Sequence, residues 1–281
     1  NTYGHRLKLE DLKADPYCKQ IPGLSEDTVN QVIQSISAKI SKGLEQEQNE
    51  VLLHTGPHHD DISLGILPHI TNQLHDPSNE AHFSVLTSGF TAVTNKFVID
   101  TLLHTKKLLE EGKIQMTNYE DFFEVGYRLK TDKDVYHFLT NVASENAAAR
   151  SRGLCHRVVR ALCIVWEIKD KEQLREIINE VIQILKKSYD GEKNPPKIQK
   201  LKGMIREFEE ELVWAHFGVQ VKNVHHLRLG FYTGDIFTEQ PDKTRDVDPI
   251  VDLLQKIKPT KLSLTLDPEG SGPDTHYKVL Q

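Results

Sequence analysis

Apolar residues crowd into a few short runs, with polar helical stripes between them. Val51-Leu52-Leu53-His54-Thr55 is a run that breaks at Gly56-Pro57, which reads as a buried strand closed by a tight turn. Leu64, Leu67, Ile70 and Leu74 follow at helical spacing, with Pro68 expected to bend that helix early. Ala81–Thr87 reads as a second strand, closed by Ser88-Gly89. Strand, helix and strand in that order make a βαβ unit, parallel by strong default. From Thr91 to Lys200 the spacing is helical almost throughout, including stripes at Val98–Leu109, Phe122–Phe138, Val158–Val165 and Leu174–Leu185. A further helix runs from Ile198 to Phe217, and Gly218 suits its C-cap. The βα rhythm then resumes: Val219–Leu229 reads as a strand, Asp248-Pro249 opens a helix that Pro259 stops, and Lys261–Leu266 is the last strand.

Ahead of all this, residues 1–23 are polar and interrupted by Pro16, Pro22 and Gly23, an irregular lead-in. Ser25 is a plausible N-cap for a helix carrying Val29, Val32, Ile33, Ile36 and Ile40, which Gly43 ends. The expected organisation is an N-terminal helical extension over 1–48 and an α/β domain over 49–281. That domain holds a mostly parallel sheet, interrupted by a helical insertion at about 92–200 that is too long for an ordinary loop.

Composition narrows the possibilities. The 281 residues suffice for a sizeable core, and the net charge of −6 with no Lys/Arg-rich run argues against nucleic acid. No apolar stretch approaches the roughly 18 residues of a membrane span. Cys18, Cys155 and Cys163 lack C-x-x-C spacing, which suggests a reducing, cytoplasmic compartment and no structural zinc knuckle. An Asn at position 1 fits a piece of a longer or processed polypeptide.

The chemistry concentrates at Pro57-His58-His59-Asp60-Asp61, where the first strand turns into a helix. His58 and Asp61 are three residues apart, so their side chains can converge, and Asp60 lies beside that point. Imidazole plus carboxylate with an open position is a common catalytic zinc arrangement. The bland alternative is a polar loop whose aspartates cap the helix. In a parallel sheet the segment after the last strand, Asp267–His276, lies at the same end as this turn, which makes His276 the most economical third ligand. Taken alone, a His near a chain end is an ordinary surface residue. His225 and His226 compete as ligands, but neighbours on a strand point to opposite faces, so at most one enters a given site.

This ordered set resembles the LmbE/PIG-L family of zinc-dependent de-N-acetylases. Pro57–Gly65 matches the family's Pro/Ala-His-Pro-Asp-Asp opening, with His59 in place of Pro. Thr87-Ser88-Gly89 matches its Thr-x-Gly, Arg206–Glu209 with Phe217-Gly218-Val219 its Arg-x-x-Glu helix and following turn, and Gly272–His276 its closing His-Pro-Asp-His. More narrowly, Leu227–Gly234 makes the chain similar to the de-N-acetylase-like C-terminal region of two-part glucosamine-6-phosphate deaminase-like proteins of the Bacteroides group.

The resemblance implies a Rossmann-like fold with zinc on His58, Asp61 and His276, Asp60 as general base, and Arg206 as a contact to the sugar. The implied activity is removal of an N-acetyl group from an N-acetylglucosamine-type sugar, with or without a 6-phosphate. Three departures stand out. His59 could crowd the metal or add a ligand. Gly272 replaces the first His of the closing motif, and Thr275 is inserted before His276. The long helical insertion has no counterpart in short family members; a lid, outside packing and a homo-oligomer contact are the alternatives for it. The altered closing motif also admits a second reading, a non-catalytic regulatory or assembly domain that keeps the metal-site fold. A phosphoesterase is a third, with too few visible ligands for two metals.

Overall fold

A computed structural model describes residues 6–189, 191–235, 238–264 and 273–280. In chain order its regular elements are α1 (Leu9–Ala14), α2 (Glu26–Leu44), β1 (Val51–Gly56), α3 (Asp61–Leu74), β2 (Glu80–Val85), α4 (Asn95–Glu110), α5 (Val125–Arg128), α6 (Thr131–Ala143), α7 (Ala147–Trp166), α8 (Lys171–Lys187), α9 (Pro196–His216), β3 (Val224–His226), α10 (Asp248–Ile257), β4 (Lys261–Leu264) and α11 (Asp274–Leu280). The result is a mixed α/β protein with a small parallel sheet and many helices.

The chain divides into two compact units, residues 1–48 with 68–77, and residues 49–67 with 78–281. In the first, Ser25 caps α2 by accepting the Thr28 N–H, and Gln73 Nε2 donates to Glu47 Oε2 at 2.6 Å. The lead-in is more regular than its breakers suggest. Asp11 accepts the Lys8 N–H at 2.9 Å, which closes the first turn of α1. Gly43 does not stop α2, which runs on through Leu44. The bend foreseen in α3 falls at Ile66 (φ −138°, ψ 19°), two residues before Pro68, whose ring clashes with the carbonyl four residues back.

In the larger unit the sheet order is β3-β2-β1-β4, with every pair parallel. β1 lies between β2 and β4, so the chain builds outward to β3 and then returns to β1's other side. In an open parallel sheet such a reversal leaves a crevice at the carboxyl ends of the strands, where ligands bind. β1 and β2 read as nearly continuous apolar runs because both are buried along almost their whole length. β3 is much shorter than Val219–Leu229. Val221–Asn223 form a 3-10 turn, and Arg228 takes a left-handed φ of 52° that no continuous strand accommodates. Of the last strand, residues 265 and 266 lie outside the described residues.

The region read as helical from Thr91 to Lys200 forms α4 through α8 and the start of α9, with the Phe122–Phe138 stripe broken into 3-10 turns, α5 and α6. Val98 and Leu102 of α4, Val159 and Leu162 of α7, Ile178 and Val181 of α8, and Leu201 and Ile205 of α9 share one buried core. α9 joins this core to the sheet. Trp214 is completely buried and stacks on Phe83 of β2 with ring centroids 3.8 Å apart. Gly203 lets α9 pass close to the loop after β2, since a Cβ there would meet Ser88 Cβ at 3.2 Å. That close passage brings Arg206, one turn further on, to the carboxyl end of β1.

Candidate metal centre

Where β1 ends, the turn is held by Pro57, whose carbonyl accepts both the Thr87 N–H (3.1 Å) and the Thr87 hydroxyl (2.8 Å). Gly56 is required there because a Cβ would stand 2.8 Å from Ile62 Cγ1. His58 follows, and its N–H donates to Asp61 Oδ2 at 2.7 Å. That bond ties the turn to the first residue of α3. The same oxygen stands 3.4 Å from His58 Nδ1 and 3.5 Å from His276 Nε2, and the two ring nitrogens are 3.1 Å apart. Among the described residues these three form the one His/Cys/Asp/Glu cluster that converges on a point suited to a metal ion.

His276 arrives from the far end of the chain on α11. Its helix is anchored by Asp274 Oδ2, which accepts the Thr238 hydroxyl at 2.7 Å and the Lys278 ammonium at 2.6 Å. Residues 267–272, with the Gly272 departure, lie outside the described residues.

The triangle fits a tetrahedral ion. Two ligand atoms bound to zinc at about 2.0–2.1 Å and spread at the tetrahedral angle stand roughly 3.4 Å apart. The three observed separations bracket that value. All three side chains are largely but not wholly buried. Burial pushes the Asp61 carboxyl up, but hydrogen bonds from His58 and the neighbouring imidazoles bring it below the usual carboxylate range. It is held as an anion, the form a metal needs.

Asp60 lies outside the triangle. Its Oδ1 accepts from Arg206 Nη2 at 3.0 Å, and Arg206 Nη1 also reaches the Gly89 carbonyl at 3.3 Å. Gly89 has a left-handed φ of 53°, and a Cβ there would stand 2.6 Å from Arg206 Nη1. The Thr-x-Gly glycine thus clears the path of the guanidinium. Arg206, expected as a contact to the sugar, and Asp60, expected as a base, are partners of each other.

His59 neither joins the triangle nor crowds it. Its ring is buried, stacks on His226 at 5.8 Å, and has no hydrogen-bond partner at either nitrogen among the described residues. Burial, together with nearby His226 and Arg206, lowers it to about 2, so it is neutral. His226 in turn stands 3.5 Å from Glu211, while His225 faces the other way and meets His82 at 3.1 Å.

Two neighbours had no signal in the spacing of the sequence. Tyr232 presents its ring edge to His58 at 5.6 Å and bonds Thr91 Oγ1 at 2.6 Å. Glu210 is buried one residue past the Arg-x-x-Glu stretch, and its carboxyl accepts the Trp214 indole N–H.

Burial drives Glu210 up to about 8, only partly offset by the Trp214 hydrogen bond. The folded protein therefore keeps a proton that the unfolded chain releases above its ordinary 4.5. With more protons bound in the folded state, stability falls as pH rises across that window, by about 1.4 kcal/mol per pH unit from this group. Glu210→Gln is expected to flatten the decline. Urea unfolding at about pH 5 and about pH 8 measures it, and equal slopes in both proteins would contradict the assignment.

Fold and site together define an α/β protein whose open parallel sheet carries a His/Asp/His cluster at its strand reversal. Among known proteins, the chain is 30% identical over 95 residues to a Bacteroides thetaiotaomicron protein named "Putative glucosamine-6-phosphate deaminase-like protein". The matched stretch covers 33% of this chain and 14% of that protein. No protein-family profile and no solved structure matches the chain. Among the described residues no helix is long and apolar enough to cross a membrane.

Proposed function

We propose that this chain is a zinc-dependent amide hydrolase of the LmbE/PIG-L type, which removes the N-acetyl group from an amino sugar. The observation that carries this reading is the His58/Asp61/His276 triangle at tetrahedral spacing, with a separate carboxylate, Asp60, oriented beside it. The name of the Bacteroides relative adds an association with amino sugars.

His58, Asp61 and His276 would hold the zinc ion. When bound, it polarises the acetyl carbonyl and lowers the pKa of water from 15.7 towards about 7. Asp60 accepts a proton from the attacking water as its oxygen bonds to the acetyl carbon. It returns that proton to the nitrogen as the C–N bond breaks, leaving acetate and the free amine. Arg206 fixes the Asp60 carboxylate for both transfers through the 3.0 Å hydrogen bond. Tyr232 packs in a T-shaped pair against the His58 ring.

The test is metal content by mass spectrometry together with acetate release from N-acetylglucosamine and its 6-phosphate. The reading expects zinc bound to the purified protein and acetate released. Bound zinc without turnover on any N-acetyl sugar would favour the non-catalytic domain that the altered closing motif admits, and phosphate release from a generic phosphoester would favour a phosphoesterase.

A further inference from the structure

A second cleft, of about 450 Å³, opens where the end of the sheet at β3 meets α6, α7 and α9. That volume lies in the usual range of small-molecule sites. Its wall is charged, but the carboxylates in it are spent. Glu207 and Glu211 are 2% and 5% exposed on the face of α9 that lines the cleft. Arg228 takes Glu207 with two hydrogen bonds, from Nε and, at 2.8 Å, from Nη2. Arg157, itself 2% exposed, donates to Glu211 at 3.0 Å and to the Thr131 carbonyl at 3.1 Å. Both acids are thus neutralised from within the wall, too deep to meet a ligand.

What remains at the opening donates. Lys200 is exposed two turns before Glu207 on the same face of α9, and its ammonium has no hydrogen bond or ion pair among the described residues. The Arg228 side chain is 46% exposed, and its two bonds to Glu207 leave Nη1 over. The Thr131 hydroxyl is half-buried in the same wall and has no hydrogen-bond partner among the described residues. His225 adds no negative charge, since its ring bonds His82 at 3.1 Å. Three cations against two carboxylates leave the cleft with one positive charge in excess. Arg228 also keeps its left-handed φ of 52°, a conformation that persists where the surroundings hold it and that gathers at ligand clamps. Leu129, Ile164, Met204 and Leu253 make the rest of the wall apolar.

We propose that this cleft binds a small phosphate ester with an apolar body. The three separate donors on Lys200, Arg228 and Thr131 match the three free oxygens of a phosphoryl group, where a carboxylate offers two. The apolar side chains cover the body. The site needs neither the metal nor turnover, so it stands apart from the hydrolase reading.

Calorimetric titration of the full chain with phenyl phosphate, phenol and inorganic phosphate tests it, before and after treatment with EDTA. Phenyl phosphate is expected to bind at least about tenfold more tightly than phenol, the worth of one hydrogen bond to a charged group, and more tightly than inorganic phosphate, which lacks the apolar body. EDTA is expected to leave that affinity within about twofold. Lys200→Gln, a change at an exposed side chain, is expected to weaken binding about three- to tenfold, and Thr131→Val about threefold. Lys187→Gln, on α8 and outside the cleft, is expected to change nothing. Phenol binding as tightly as its phosphate overturns the proposal, as does an affinity that survives both Lys200→Gln and Thr131→Val. Binding abolished by EDTA does so too, since it would put the phosphoryl group on the metal centre. Acetate release bears on the hydrolase reading alone, so either idea can fail without the other.

Discussion

Replacing Asp60 by Asn is expected to lower acetate release by about 10²–10⁴-fold, the usual worth of a positioned acid–base group, while zinc content stays at the wild-type level. Asn keeps the size of the side chain and still accepts a hydrogen bond from Arg206, but it cannot take a proton from water. The metal is expected to remain because Asp60 is not one of the three converging side chains proposed to hold it. Paired metal analysis and acetate assay decide the matter. Unchanged turnover would remove Asp60 from the reaction, and lost zinc would make it a ligand instead of a base.

The second large effect lies in the core. Trp214→Ala is expected to cost about 3–5 kcal/mol of stability, as large aromatic truncations in a packed interior do. The indole is fully buried against Phe83 at 3.8 Å, so its removal opens a cavity between α9 and β2. It also strips the Glu210 carboxyl of the indole donor, which adds the cost of a buried polar group left unmet. Urea unfolding monitored by circular dichroism measures the loss; a change below about 1 kcal/mol would mean that α9 does not depend on this stack.

These two expectations draw on different parts of the molecule, and the sequence disclosed them unequally. Asp60 was legible because a strand, a breaker and a cluster of ligand-type side chains within a few residues form a local pattern. Trp214 was not, since its partner is 131 positions away and a lone Trp on a helix says nothing of what it stacks against. His59 shows the same limit. Its neighbours in sequence made it a candidate ligand, whereas burial, with the stacked His226 ring beside it, keeps it neutral, and it lies outside the triangle.

By itself the sequence determined the parallel βαβ start, the helical middle, the cap at Ser25, and the chemical character of the turn at His58, because hydrophobic period, turn residues and side-chain chemistry are local properties. Only the tertiary structure decided that β4 lies beside β1, and that His276 closes to within 3.1 Å of His58 across 218 positions. It alone also set the pairing of Arg206 with Asp60, the shortening of β3 at Arg228, and the meeting of Lys200, Arg228 and Thr131 around one cleft. Each of these depends on which surfaces pack together, and packing joins residues that no local periodicity links.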